Sequence, residues 1–125
     1  MIIKVIKDIR LSDNFMLSEF MCKCGCDQVK ISELHVKRLQ LWRDRWKVKM
    51  IPNCGYRCPE HNKALGSKNT SQHLLGTATD FPVFKGCTLE EMMIYAQLHF
   101  DGVGVYNWGI HVDSRGSKAF WDERT

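Results

Sequence analysis

Apolar residues spaced three or four positions apart predict two amphipathic helices in this chain. Ser32 can cap the first helix, which continues to about Trp46 with one apolar side and one charged side. The second helix opens with a capping box at residues 88–91 and continues to about Phe100. The proline that follows Cys58 predicts a third, shorter helix, since proline is favoured at the first helical position.

Strands are predicted where short apolar stretches lie between turn-forming residues. Residues 107–109 join two such stretches and predict a β-hairpin. Helices followed by strands with one interposed helix indicate an α+β fold, in which helices pack against a small antiparallel sheet. A chain of 125 residues suits one modest core, so we expect a single domain over residues 1–125. The predicted strands are residues 1–11 (a strand or an ordered arm), 48–52, 78–83, 103–106 and 110–113.

Composition and charge exclude some classes of protein. Hydrophobic residues make up 44% of the chain and charged residues 26%, which excludes wholesale disorder. No apolar run is long enough to span a bilayer, and residues 1–8 alternate apolar and charged, unlike a secretory signal. The net charge of +4 favours weak attraction to polyanions such as cell-wall polymers or nucleic acid, although dispersed charge of this size also serves as an ordinary solubilising surface.

Cysteines are frequent for a chain of this length. The first three are two residues apart, so they are poorly placed to pair with one another, and any disulfide would reach a later cysteine. A structural zinc ion and a set of reduced thiols are the other two interpretations, and a chain without an export signal favours a reducing compartment. The six are Cys22, Cys24, Cys26, Cys54, Cys58 and Cys87.

Two polar clusters interrupt the predicted strands and carry candidate chemistry. His73 and Asp80 would lie roughly 20 Å apart in an extended chain, but a turn at Gly76 can bring them together. His111 and Asp113 are two apart, so both would face the same side of a strand. Imidazole and carboxylate groups are good zinc ligands. The same residues could instead cap loops and turns or lie hydrogen-bonded in the core.

The spacing of these clusters resembles the signature of M15-type zinc peptidases. The matching pattern is Ser71-x-His73-x-x-Gly76-x-Ala78-x-Asp80, followed by His111-x-Asp113. That group includes D-Ala-D-Ala carboxypeptidases and murein endopeptidases, and it shares its site architecture with the hedgehog signalling domain. The resemblance extends over residues 14–115 and includes the segments 14–26 (NFMLSEFMCKCGC), 55–62 (GYRCPEHN) and 102–106 (GVGVY).

The resemblance implies a hedgehog/DD-peptidase-like fold and one catalytic Zn²⁺. Its implied zinc ligands are His73, Asp80 and His111. Arg57 is implied to bind substrate and to stabilise the developing oxyanion, which makes it a catalytic residue. The predicted substrate-binding residues are Arg57, Tyr56 and Gln72.

The proton acceptor is less closely defined by the resemblance. Asp113 would face the same way as His111, so we take it as the candidate general base. Relatives carry a basic carboxylate a few residues before the last zinc histidine, or within H-x-D-x-x-H. This chain has Trp108 and Gly116 at the corresponding positions. Asp113 is therefore either the base or a residue that orients a zinc-ligating imidazole.

The function that this pattern predicts is zinc-dependent hydrolysis of amide bonds at or near D-amino acids in peptidoglycan stem peptides. A catalytically inert, hedgehog-like zinc-binding module is the alternative, and a basic zinc finger for nucleic acid is a third interpretation.

Two further histidines, His35 and His61, gain no role from the resemblance and are expected at the surface.

The expected partner is a peptidoglycan stem peptide, without nucleic acid, and we expect a monomer. A wall hydrolase of this size without an export signal resembles phage lysis enzymes, or endolysins. Such an enzyme would wait in the host cytoplasm before its release to the cell wall, and a virion-associated protein is equally compatible.

Overall fold

The computed structural model describes residues 8–125, so most of the predicted opening strand lies outside the described part. Two helices precede the main-sheet strands and one helix lies between β-strands, as expected for an α+β fold. The helices are α1 (Glu33–Trp46), α2 (Pro59–Ala64) and α3 (Leu89–His99), and the 3-10 turns are Leu17–Phe20 and Gln72–Leu75. The strands are β1 (Arg10–Ser12), β2 (Phe15–Met16), β3 (Ala78–Pro82), β4 (Gly102–Tyr106), β5 (Gly109–Asp113) and β6 (Ala119–Asp122).

The helix caps are those that the sequence predicts. The Ser32 side chain accepts the backbone N–H of His35 at the start of α1. At the start of α3, Thr88 and Glu91 form the reciprocal hydrogen bonds of a capping box. A cap of this kind typically stabilises a helix by about 1 kcal/mol, because it satisfies backbone donors that have no partner within the helix.

Four strands form the main sheet in the order β3-β5-β4-β6. β3 and β4 each pair antiparallel with β5, which confirms the predicted hairpin and the small antiparallel sheet. The edge strand β6 pairs parallel with β4 and was not predicted. The predicted strand at residues 48–52 is wrong, because that segment makes no ladder within the described residues. Only Cys54, just beyond it, forms an isolated bridge with Asp80.

The two faces of the main sheet serve different purposes, because successive residues of a strand point to opposite faces. One face carries buried apolar side chains that pack against α1 and α3 around Trp42. The indole of Trp42 meets the rings of Phe81, Phe84 and Phe100 at centroid distances of 5.3 to 5.7 Å. The other face carries polar side chains and glycines, and it is the face on which the candidate site lies.

The 3-10 turn that ends at Phe20 lies close to the segment that contains Gly55 and Tyr56. The backbone N–H of Tyr56 donates to the carbonyl of Phe20 at 2.9 Å. Gly55 lies so close to the backbone of Phe20 that a Cβ atom there would overlap it, so only glycine fits.

None of the helices in residues 8–125 has the length and apolar character needed to cross a membrane.

Candidate metal centre

His73 reaches the site through a tight turn. The Ser71 hydroxyl accepts the backbone N–H of His73 at 3.3 Å and caps the 3-10 turn. That turn ends at Gly76, whose backbone is left-handed with φ of 72°, and a Cβ atom there would overlap the Lys30 carbonyl. The predicted turn at Gly76 is therefore confirmed, and it folds the chain back so that β3 runs beside His73.

The three predicted metal ligands come together on the polar face. Asp80 on β3 lies directly opposite His111 on β5 in the register of the sheet. Asp80 Oδ1 lies 3.2 Å from His73 Nε2 and 3.0 Å from His111 Nδ1. Asp80 Oδ1 thus lies between one nitrogen of His73 and one nitrogen of His111, although the three residues are distant along the chain.

The second nitrogen of each imidazole has its own partner. His73 Nδ1 lies 2.6 Å from the carbonyl oxygen of Gly55, and this nitrogen must donate because a carbonyl can only accept. His111 Nε2 lies 2.7 Å from Asp113 Oδ2 and donates to that carboxylate. Such partners fix the tautomer of a metal-binding imidazole. His73 Nε2 and His111 Nδ1 are thus the nitrogens that face Asp80, and after loss of a proton each can offer a lone pair to a metal ion.

Asp113 is fully buried behind His111. In addition to His111, its carboxylate accepts hydrogen bonds from the guanidinium of Arg115 at 2.7 and 2.9 Å. Burial alone would raise the pKa of Asp113, but the hydrogen bonds from His111 and Arg115 hold it well below its usual range. Both oxygens are occupied and away from solvent. This position does not fit the predicted role of general base, and it fits the other role that the sequence left open, orientation of His111.

The titration of the cluster reflects strong coupling to Asp80. Burial disfavours the charged form of His73, but the hydrogen bond and negative charge of Asp80 outweigh it and raise the pKa of His73 to about 9. Burial would likewise raise the pKa of Asp80, yet hydrogen bonds with His111 and His73 hold it far below its usual range. A proton and a metal ion therefore compete for the same lone pairs.

Cys54 is a donor that sequence reasoning did not include among the ligands. Cys54, His73 and Asp80 offer ligand atoms that all lie within 4.8 Å of one another. The sulfur is 3.7 Å from His73 Nδ1, the nitrogen that faces the Gly55 carbonyl. Coordination through Nδ1 beside Cys54 would break the shorter hydrogen bond to Gly55, so the geometry favours Nε2 and the partners Asp80 and His111.

The cluster opens into a cavity of about 740 Å³. Of the three predicted substrate-binding residues, Arg57 and Gln72 lie on its wall, whereas Tyr56 does not. The ring of Tyr56 packs against Cys22 and Cys58 instead. The backbone hydrogen bond from Tyr56 to Phe20 holds it on that side. The prediction that Tyr56 binds substrate therefore has no support from its position.

Arg57 is a buried arginine with unused hydrogen-bonding capacity. Its Nη1 donates to the Ser67 hydroxyl at 2.7 Å, and its buried Nε has no partner among the described residues. Gln72 is held at its carbonyl end, which accepts the hydroxyl of Thr77 at 2.8 Å. Both side chains can therefore direct N–H groups toward a substrate.

Four wall residues that were not named as site residues from the sequence lie on β6, directly after it, or at the hairpin turn. Tyr106 and Trp108 stack with centroids 4.9 Å apart, and the Trp121 indole donates to the Tyr106 hydroxyl at 2.6 Å. Glu123 follows Trp121 by two residues and shares its face, and its N–H extends the pairing with β4 at Val105. Among the described residues, Asp80 and Glu123 are the carboxylates on the cavity wall. The alternation of residues 119–123 is the signal that could have predicted this strand.

Comparison with known families identifies a peptidase family. The family described as Peptidase M15 matches residues 11–113. The chain belongs to the peptidase M15 family. M15 peptidases are zinc-dependent metallopeptidases, and the match includes all three residues that converge on the polar face. No curated protein matches the chain. β6 lies beyond the residues that the M15 family matches.

Proposed function

We propose that this M15 peptidase hydrolyses amide bonds at or near D-amino acids in peptidoglycan stem peptides. The observation that carries the proposal is that Asp80 Oδ1 lies within 3.2 Å of both His73 Nε2 and His111 Nδ1 on the wall of an open cavity. These three atoms would hold the zinc ion, which when bound supplies a Lewis acid that polarises the scissile carbonyl and lowers the pKa of water toward ~7.

Arg57 is the residue that we assign to substrate charge. Its guanidinium lines the cavity, and a guanidinium binds a carboxylate or a developing oxyanion through two parallel hydrogen bonds. Stem peptides carry free carboxylates, which gives the Arg57 side chain a partner. Gln72 can donate from its amide to a peptide carbonyl on the same wall.

Glu123 is the residue that we assign as proton acceptor. It is exposed on the cavity wall, whereas Asp113 is buried and already bonded to His111 and Arg115. In this assignment Glu123 takes the proton of the attacking water and gives it to the leaving amine as the C–N bond breaks. Asp113 keeps His111 in the tautomer that leaves Nδ1 free.

A catalytically inert zinc module is the second candidate function. The observation that favours it is the position of Asp113, since the carboxylate nearest to His111 in sequence has no access to the cavity. In this case the metal would stabilise a binding surface, and Glu123 would be an ordinary surface carboxylate.

Digestion of purified peptidoglycan distinguishes the two. The wild-type protein with zinc should release stem-peptide fragments, which mass spectrometry identifies and which a chelator suppresses. Asp80→Asn should abolish release, because it removes a ligand, whereas the matched surface variant Asp44→Asn should not. Zinc binding without any release by the wild type would favour the inert module and contradict the peptidase.

A further inference from the structure

A second group of potential metal ligands lies outside the candidate metal centre. Cys22, Cys24, Cys26 and Cys58 each direct a sulfur to one point, and all four sulfurs lie within 4.8 Å of one another. Cys24 Sγ is 3.5 Å from Cys22 Sγ and 3.6 Å from Cys58 Sγ. None of these four residues belongs to the cluster of His73, and all four are free thiols.

The sulfur spacing matches a single tetrahedral metal ion. Four thiolates at the usual Zn–S distance of about 2.3 Å stand about 3.8 Å apart at the corners of a tetrahedron. A disulfide instead needs its two sulfurs at about 2.05 Å. The separations of 3.5 and 3.6 Å in this cluster are close to the first value and far from the second.

Hydrogen bonds in the cluster suit sulfur atoms that carry negative charge. The backbone N–H of Cys58 donates to Cys22 Sγ at 3.4 Å, and the N–H of His61 donates to Cys58 Sγ at 3.4 Å. His61 Nδ1 also lies 3.3 Å from Cys22 Sγ, so this histidine is not the uninvolved surface residue that the sequence suggested. Donors of this kind orient the ligands of a metal site and stabilise their charge.

We propose that Cys22, Cys24, Cys26 and Cys58 bind a second, structural zinc ion. Four cysteine ligands close the coordination sphere and leave no position for water, which is typical of structural zinc and distinguishes this site from the cluster at His73. The interpretation of the cysteines as a zinc site was one of three that the sequence left open, and the sulfur geometry favours it.

The proposed ion has a definite structural task. Three of its ligands lie on the loop at residues 22–28, which has few apolar contacts: Cys24 is exposed and Gly25 has open space around it. The fourth ligand, Cys58, follows the segment that contains Gly55 and Arg57. The ion would cross-link this loop to the segment whose Gly55 carbonyl orients His73. It would therefore help to fix the position of His73 in the candidate metal centre.

Zinc content of the full chain tests the proposal. Wild-type protein purified with zinc should contain two ions per chain, and the control Cys87→Ser should also contain two, because Cys87 is outside both clusters. Cys24→Ser and Asp80→Asn should each lose one ion. Cys24 is the ligand of choice because it is exposed, so its replacement disturbs packing least.

Two further measurements keep the test decisive if Cys24→Ser does not fold. Asp80→Asn loaded with Co²⁺ should retain the intense thiolate-to-cobalt absorption of a four-sulfur site. In the wild type, zinc should protect four of the six cysteines from alkylation, and chelation should expose them. A disulfide among the four, no thiolate-to-cobalt absorption, or alkylation that zinc does not affect would each overturn the proposal. Failure of peptidoglycan hydrolysis would leave it standing, since the two metal sites share no residue.

Discussion

At the scale of single residues, the second partner of each histidine decides what its ring can do. The Gly55 carbonyl and the Asp113 carboxylate each occupy one nitrogen and leave the other facing Asp80. Sequence reasoning identified the three converging residues because their spacing is a family pattern. It could not decide between the two roles of Asp113, because whether a carboxylate faces a cavity or the interior depends on the neighbouring strand and on Arg115.

Replacement of Glu123 should affect catalysis, whereas replacement of Asp113 should affect zinc binding. Glu123→Gln should lower kcat by at least about 100-fold with zinc retained, because proton transfer is lost. Asp113→Asn should lower zinc affinity by about 10- to 100-fold, because His111 loses its orienting partner. Steady-state kinetics and metal titrations measure both, with Glu33→Gln as the surface control. Full activity of Glu123→Gln would remove it from the mechanism.

Zinc affinity should fall with decreasing pH. The pKa of His73 is raised to about 9, so at neutral pH a metal ion must displace its proton. Affinity should therefore decrease by about tenfold for each pH unit below that value for a single competing proton, and binding should release protons. Calorimetry in buffers of different ionisation enthalpy measures both effects. Affinity that does not vary between about pH 6 and 8 would contradict the proton competition.

At the scale of elements, the helices are easier to predict than the strands. Caps such as Ser32 and Thr88 are local signals, and both begin helices as predicted. Strand β6 was not predicted, because its parallel partner β4 is not adjacent in sequence and no hairpin turn joins the two, so the alternation of residues 119–123 is the local signal that β6 offers. Residues 48–52 have a strand-like composition but find no ladder, and Pro52 removes one of the donors that a ladder would need.

His35 shows how packing between elements overrides a local expectation. It was expected at the surface of α1, but it is fully buried between α1 and β3. Its Nε2 lies 2.9 Å from the Thr79 hydroxyl and its Nδ1 lies 2.8 Å from the Ser114 hydroxyl. Because the hydroxyl of Thr79 points to the core face, a polar partner on the facing helix is required there.

The buried histidine should make stability depend on pH. Burial lowers the pKa of His35 from 6.5 to about 3, so between these values the unfolded chain binds a proton that the folded chain does not. Its contribution to the free energy of unfolding should fall by up to about 1.4 kcal/mol per pH unit as pH decreases through that window. Urea denaturation of the wild type and His35→Gln measures it. The difference between them should shrink at low pH, and a constant difference would contradict the assignment.

At the scale of the whole molecule, the main sheet has the hydrophobic core on one face and the candidate site on the other. The apolar face packs on α1 and α3 around Trp42, and the opposite face carries the polar cluster and its cavity. Membership of the M15 family and the converging ligands support a zinc peptidase, whereas the peptidoglycan substrate is our proposal. A phage origin and a location before release stay predictions of the sequence.

Anomalous diffraction from crystals of the zinc-loaded protein tests the central claim most directly. It should place a zinc ion about 2.0–2.2 Å from His73 Nε2, Asp80 Oδ1 and His111 Nδ1, with one open coordination position toward the cavity. No zinc at that point, or a zinc ion whose fourth position is closed by Cys54, would contradict the account.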